Sequence, residues 1–365
     1  MTLPRARPGI LEIRPYVGGK SRVAGTAPVA KLSSNENALG PSPRALEAYA
    51  HAAAALHRYP DGQATALRAA IARQHNLEPR QIAVGAGSDE LIALLVRGYA
   101  GPGDEVLHSA HGFLMYKLSA LAAGAHPIAA PERHLTADVD ALLAHVTSRT
   151  RLVFLANPNN PTGTYLPAAE IRRLHAGLPD DVILVLDAAY AEFARAADYD
   201  PGQTLSLEAP NVVMLRTFSK IHGLAALRVG WMTGPAAILD VIDRIRGPFN
   251  CAQPAQDAAT AAITDLDHQA ASRAHNDRWL AWLAQELAAL GLEVVPSQGN
   301  FLLLGLGSAE RAAAAEAQLE ADGVIPRAMG GYGLPAHLRL SVGTEAENRA
   351  AVAAFARFVR GARAA

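Results

Sequence analysis

The stretch Val182-Ile183-Leu184-Val185-Leu186-Asp187 is apolar for five residues and then ends on an acid. A half-buried strand alternates apolar and polar residues. An unbroken aliphatic run is buried on both faces, as in a parallel sheet covered by helices. Similar short runs lie at 81–84, 105–108, 151–156, 211–216 and 229–233. Helical stretches fill the gaps at 44–56, 65–75, 89–98, 116–123 and 167–176. This alternation argues an α/β fold with right-handed crossovers.

Beyond about residue 248 the pattern changes. Residues 257–290 read as one or two long helices rich in alanine and charge. Short strands near 292–295, 301–305, 324–326 and 338–342 follow, with a closing helix after Thr344. Residues 1–35 are punctuated by proline and glycine and show little periodicity. The expected organisation is an N-terminal arm (1–35), a large domain with a mostly parallel sheet flanked by helices (36–248), and a smaller α+β C-terminal domain (249–365). A length of 365 residues fits two domains at about 150 residues each.

Composition excludes several classes. Half of the residues are hydrophobic, enough for a sizeable core. The balance of 33 basic and 34 acidic residues gives net −1, which offers no footprint for nucleic acid or an anionic membrane. A lone cysteine, Cys251, excludes an internal disulfide and a cysteine-built zinc site, and it fits a reducing compartment. No run approaches the roughly 18 apolar residues of a membrane span. Arg5 and Arg7 lead into no apolar signal core. A soluble, cytoplasmic protein is expected. The 13 histidines show no metal-ligand spacing, so no metal is expected.

In α/β sheets, ligands bind beyond the carboxyl ends of the strands. After the first run come Gly85-Ala86-Gly87-Ser88-Asp89-Glu90, then an apolar helix. Exposed N–H groups at such a helix start make a phosphate site, although the loop also reads as an ordinary capped turn. After 151–156 comes Asn157-Pro158-Asn159-Asn160-Pro161-Thr162-Gly163-Thr164, a rigid loop that can hold an asparagine at the sheet's end. The run 182–187 delivers Asp187, with Tyr190 three residues on. A buried acid is costly unless it meets a cation or a donor. The run 211–216 leads to Thr217, Phe218, Ser219 and Lys220, and Arg228 lies eight residues later.

Together these parts describe one cofactor. A lysine forms a Schiff base with an aldehyde, and pyridoxal 5′-phosphate is the aldehyde cofactor that uses one. An acid at its pyridine nitrogen keeps the ring an electron sink. Asp187 can serve as that acid. Asn160 and Tyr190 can reach its phenolic oxygen. Ser88, Ser219 and Arg228 can hold its phosphate.

The chain resembles the fold-type I pyridoxal-phosphate aminotransferases of the aspartate aminotransferase superfamily, and more closely the histidinol-phosphate aminotransferase family. The matching stretches span nearly the whole chain. They run from Leu32-Ser33-Ser34-Asn35-Glu36-Asn37, through Arg58-Tyr59-Pro60-Asp61-Gly62 and Ser219-Lys220, to Leu338-Arg339-Leu340-Ser341-Val342-Gly343. The resemblance implies that Lys220 carries the cofactor and shuttles the proton, and that Asp187 pairs with the ring nitrogen. It implies that Gly87, Ser88, Asp89, Ser219 and Arg228 hold the phosphate, and that Phe113 stacks on the ring, though Phe113 also reads as a core residue. Tyr59 resembles a tyrosine that reaches the neighbouring subunit's phosphate, which implies a homodimer with composite sites. Arg339 and Arg327 match arginines that grip the substrate's anionic group. Tyr16 matches an arm tyrosine over the substrate, and Tyr116 and Asn37 are expected along the pocket. Two positions depart from the family pattern: Ala188 stands where an acid is common, and Ile221-His222 replace a small residue and an aromatic.

The implied reaction moves an amino group between L-histidinol phosphate and 2-oxoglutarate. An aromatic amino-acid aminotransferase and a threonine-phosphate decarboxylase share most of these motifs. A cofactor-binding regulatory module fused to a DNA-binding domain would need residues and a basic patch that this chain lacks.

Overall fold

The computed structural model describes residues 6–7, 9–16, 18–21 and 30–364. The rest of the expected arm lies outside the described residues. Seven strands form the central sheet: β1 (Ile82–Gly85), β2 (Glu105–Ser109), β3 (His126–Ala130), β4 (Thr150–Ala156), β5 (Ile183–Asp187), β6 (Val212–Thr217) and β7 (Gly230–Thr233). Their order is β1-β7-β6-β5-β4-β2-β3. Strand β7 runs antiparallel to both neighbours, and the other pairs are parallel.

Strand β5 is buried along its whole length, as its unbroken apolar run predicts. Successive side chains point to opposite faces. Ile183 and Val185 therefore join a cluster with Leu91 and Leu95 of the helix Ser88–Tyr99, while Leu184 and Leu186 pack with Ile171 and Leu174 of the helix Ala168–Gly177. Each such side chain contributes about 1.5–3 kcal/mol by leaving water. Strand β3 was not anticipated. It lies at the sheet's edge, four of its five residues touch water, and its sequence (His126-Pro127-Ile128-Ala129-Ala130) gives no long apolar run.

The C-terminal domain holds an antiparallel four-stranded sheet of Glu293–Val295, Phe301–Gly305, His337–Ser341 and Arg327–Ala328. Along His337–Ser341, Leu338 and Leu340 enter this domain's core, which leaves Arg339 and Ser341 on the opposite face. Two contacts cross the expected boundaries. The helix Gln253–Thr264, expected in the small domain, packs Ala255, Ala258, Ala259 and Ile263 against Leu67 and Ile71 of the large domain. Its small side chains permit that close approach, and composition cannot say which surface they meet. Conversely, Ala30–Lys31, expected in the arm, pairs in parallel with Val324–Ile325 of the small domain. This pairing carries residues 33–36 across the junction. Among the described residues, no helix is long and apolar enough to cross a membrane.

Candidate active site

The carboxyl ends of β4, β5 and β6 open on a cavity of about 340 Å³ beneath the small domain. Twelve of the residues expected at the site line it: Tyr16, Ser88, Asp89, Phe113, Asn160, Asp187, Tyr190, Ser219, Lys220, Arg228, Arg327 and Arg339. Strand register explains the convergence. Asp187 at the end of β5 pairs with Ala156, the last residue of β4, and with Leu215 of β6, which runs two residues further to Thr217, so the loops after all three strands open toward the same edge of the sheet.

One end of the cavity is built for an anion. The helix Ser88–Tyr99 starts after Gly87, which has φ +85° and supplies no side-chain cap. Its first N–H groups are not satisfied by the chain's own cap and suit an anion. Arg228 Nη1 donates to Ser219 Oγ at 3.2 Å, and Nη2 donates to Asp89 Oδ2 at 3.1 Å. A Cβ on Gly87 would stand 2.6 Å from Arg228 Nη2. Glycine is required there for its backbone angle, and a side chain would also push Arg228 away from the helix start. Gly87 itself stands behind the cavity wall.

Asp187 also lines the cavity. It is buried, and Tyr116 Oη donates to its Oδ2 at 2.7 Å. Burial pushes its carboxyl up to about 6, against the opposing effect of the Tyr116 hydrogen bond. Lys220 Nζ donates to the backbone oxygens of Ser34 and Asn35, both at 3.3 Å. At the small-domain side, Arg339 Nη1 donates to Asn160 Oδ1 and Nη2 to Ser33 O at 2.9 Å. Arg339 Nε is buried without a partner among the described residues, and burial lowers the arginine from its ordinary value. Arg327 pairs with Arg339 in the sheet register, and its guanidinium lies 6.0 Å from the Tyr16 ring.

Three residues stand elsewhere. Tyr116, expected against the substrate, is fully buried one layer back, where it holds Asp187. Asn37, expected along the pocket, donates to Ile221 O at 2.7 Å and to Ser272 Oγ at 3.1 Å and does not line the cavity. Tyr59 is 83% exposed, stacked on Phe249 at 4.8 Å, outside this chain's cavity. The two unusual positions are also off the cavity. Ala188 joins the core beside Phe218. Ile221 is buried, and His222 leans on Phe218 at 4.7 Å. Sequence reading passed over Asn35, Ser341 and Tyr332. The first lies in a stretch that offered two asparagines, and only Asn35 faces the cavity.

These residues fit pyridoxal phosphate. The glycine cradle and Arg228 suit a phosphate, the buried carboxyl of Asp187 suits a cationic N–H, and Lys220 lines the same cavity. Among the described residues, no group of histidine, cysteine and carboxylate side chains could hold a metal.

The fold and this donor set define a pyridoxal-phosphate-dependent aminotransferase, and the family model described as aminotransferase class I and II matches residues 27–355. The histidinol-phosphate aminotransferase of Paramagnetospirillum magneticum is 54% identical over 361 residues, which cover 98% of this chain and 99% of that protein. That of Rhodospirillum rubrum is also 54% identical, covering 98% of each. The crystal structure of histidinol-phosphate aminotransferase from Sinorhizobium meliloti in complex with pyridoxal 5′-phosphate superposes with a TM-score of 0.92, at 31% identity and 99% coverage of both chains. The chain belongs to the class I and II aminotransferases, in their histidinol-phosphate aminotransferase branch.

Proposed function

We propose that the chain moves an amino group between L-histidinol phosphate and 2-oxoglutarate. The observation that carries this reading is the pairing of Arg327 and Arg339 at one mouth of the cavity. A phosphate ester is nearly a dianion with three acceptor oxygens, so it can engage two guanidinium forks where a carboxylate saturates one. The names of the 54%-identical relatives support the same donor.

The bound cofactor acts as an electron sink for the substrate's Cα–H bond and carries the amino group between the two half-reactions. Asp187 holds the ring-nitrogen proton. Asn160 and Tyr190 donate to the phenolic oxygen. Gly87, Ser88, Asp89, Ser219 and Arg228 hold the phosphate, and Phe113 covers the ring. Lys220 Nζ would hold the cofactor's aldehyde carbon and, when free, would take the substrate's Cα proton. Arg339, Arg327 and Tyr16 orient the donor. Asn37 and Tyr116 support the walls from behind.

The working unit is a homodimer in the cytoplasm, with composite sites. The exposed Leu46, Tyr49, Leu56, Tyr59 and Phe249 lie on the chain's surface and suit a second copy. No nucleic-acid or membrane partner is expected.

The test is a panel of amino donors with 2-oxoglutarate, scored by product. Turnover is expected to be fastest with histidinol phosphate. A preference for phenylalanine or tyrosine would move the chain to the aromatic branch, and release of carbon dioxide from threonine phosphate would make it a lyase. Lys220→Ala should abolish turnover while leaving the protein folded.

A further inference from the structure

Asn35 is buried and has φ +53°, a left-handed backbone that asparagine and aspartate tolerate better than most residues. Strained residues of this kind persist where the surroundings over-determine them. Every polar atom of Asn35 is engaged. Its backbone N–H donates to Ser341 Oγ at 2.8 Å, and its Oδ1 accepts from the same hydroxyl at 3.0 Å. Its Nδ2 donates to Tyr190 Oη at 2.9 Å. Its backbone oxygen accepts from Lys220 Nζ at 3.3 Å and from Asn300 Nδ2 at 3.2 Å.

The direction of these bonds follows from one group that cannot reverse. A backbone N–H only donates. Ser341 Oγ therefore accepts from Asn35 N, and its own hydrogen must go to another acceptor. Among the described residues, Asn35 Oδ1 is the acceptor the hydroxyl oxygen reaches. A flipped amide would leave the Ser341 hydrogen buried with no acceptor, which is costly. So Nδ2 faces Tyr190, and Tyr190 Oη accepts. Among the described residues Oη has no second partner, and Tyr190 lines the cavity. Its single hydrogen is left to point inward.

We propose that Asn35, locked by Ser341, is a positioning residue that fixes the Tyr190 phenol as a donor into the cavity. This rests on the reading of Tyr190 as a donor to the cofactor's phenolic oxygen. Asparagine supplies an N–H where aspartate would supply only acceptors. Asn35→Asp keeps the size and the backbone preference but reverses the polarity, so the phenol turns its hydrogen toward residue 35.

The experiment is an absorbance-versus-pH titration of the cofactor-loaded enzyme. A donor to the phenolic oxygen favours the unprotonated lysine–cofactor bond, so its loss raises the titration midpoint. Tyr190→Phe should raise it. Asn35→Asp should raise it by about one unit, the equivalent of one ordinary hydrogen bond. The double variant Tyr190→Phe with Asn35→Asp should sit no higher than Tyr190→Phe alone. Asn35→Gly, which keeps the left-handed backbone, should give a smaller rise and decides the matter if the aspartate variant fails to load cofactor. An unmoved midpoint in Asn35→Asp, or in Asn35→Gly where that variant decides, beside a raised one in Tyr190→Phe, overturns the proposal. So does an Asn35→Asp shift that persists in full in the double variant, since the new charge would then act directly. An unmoved midpoint in Tyr190→Phe removes the underlying reading of Tyr190, and the proposal with it.

Discussion

The Tyr116 hydroxyl and the Asp187 carboxylate lie 2.7 Å apart, one brought by the helix Leu114–Ala123 and the other by the end of β5. Among the described residues the other carboxylate oxygen accepts only a long bond, 3.3 Å, from Ala189 N. Hydrogen bonds to charged groups contribute about 1.5–3 kcal/mol. Tyr116→Phe should therefore weaken cofactor binding about ten- to a hundredfold, measured by absorbance titration of the cofactor-free protein. An unchanged Kd would mean that the hydroxyl does not support the ionised carboxylate.

The cofactor-free protein should show a stability slope with pH that Asp187 sets. Its folded value near 6 lies above the ordinary 3.8, mainly through burial. The folded state thus keeps a proton that the unfolded chain releases. Asp187 costs stability as pH rises from about 4 to about 6, reaching about 3 kcal/mol, and costs nothing below that window. His75 and His222, both lowered to about 4 chiefly by burial, act oppositely and lose stability as pH falls below 6.5. The difference between wild type and Asp187→Asn isolates the carboxyl. In urea melts the variant should gain on wild type between pH 4 and 6. With cofactor bound the order should reverse at pH 7. Parallel curves for the cofactor-free proteins would exclude the raised carboxyl.

Gly230 marks the tightest approach at the anion end. A Cβ there would stand 2.3 Å from Ser88 N and 2.6 Å from Gly87 C, both backbone atoms. Neither can swing aside as a side chain would. Gly230→Ala should destabilise by about 1–3 kcal/mol and weaken retention of the phosphate group. Thermal melts with and without cofactor would check both, and a wild-type response to added cofactor would refute the second.

Removing Arg327 should cost the phosphorylated donor more than phenylalanine. The loss expected for histidinol phosphate is about ten- to a hundredfold in kcat/KM. Equal losses for both donors would leave Arg327 only a structural role.

Tyr59 and Phe249 stack with their rings 4.8 Å apart on the chain's surface. If Tyr59 serves the neighbouring site, mixing Lys220→Ala subunits with Tyr59→Ala subunits should restore activity, because hybrid dimers regain one intact site. A fully active monomer in sedimentation would contradict the shared site.

The sequence by itself determined what lies along one strand and just beyond it. The unbroken run 182–187 required burial on both faces, and chain continuity then placed Asp187 at the sheet's carboxyl edge. The same reasoning placed Lys220 after β6 and the glycine turn before Ser88. The helix Thr65–His75 was legible to the residue because its apolar period is local.

Tertiary structure decided what meets across distance. Asn35 reaches Tyr190 across 155 positions and Ser341 across 306, and no local pattern chose it over Asn37. The face of the helix Leu114–Ala123 turned Tyr116 toward Asp187 instead of the substrate. Small alanines let Gln253–Thr264 join the large domain. Periodicity fixes the kind of element and its apolar face. Which surface that face finds is set by packing among residues far apart in the chain.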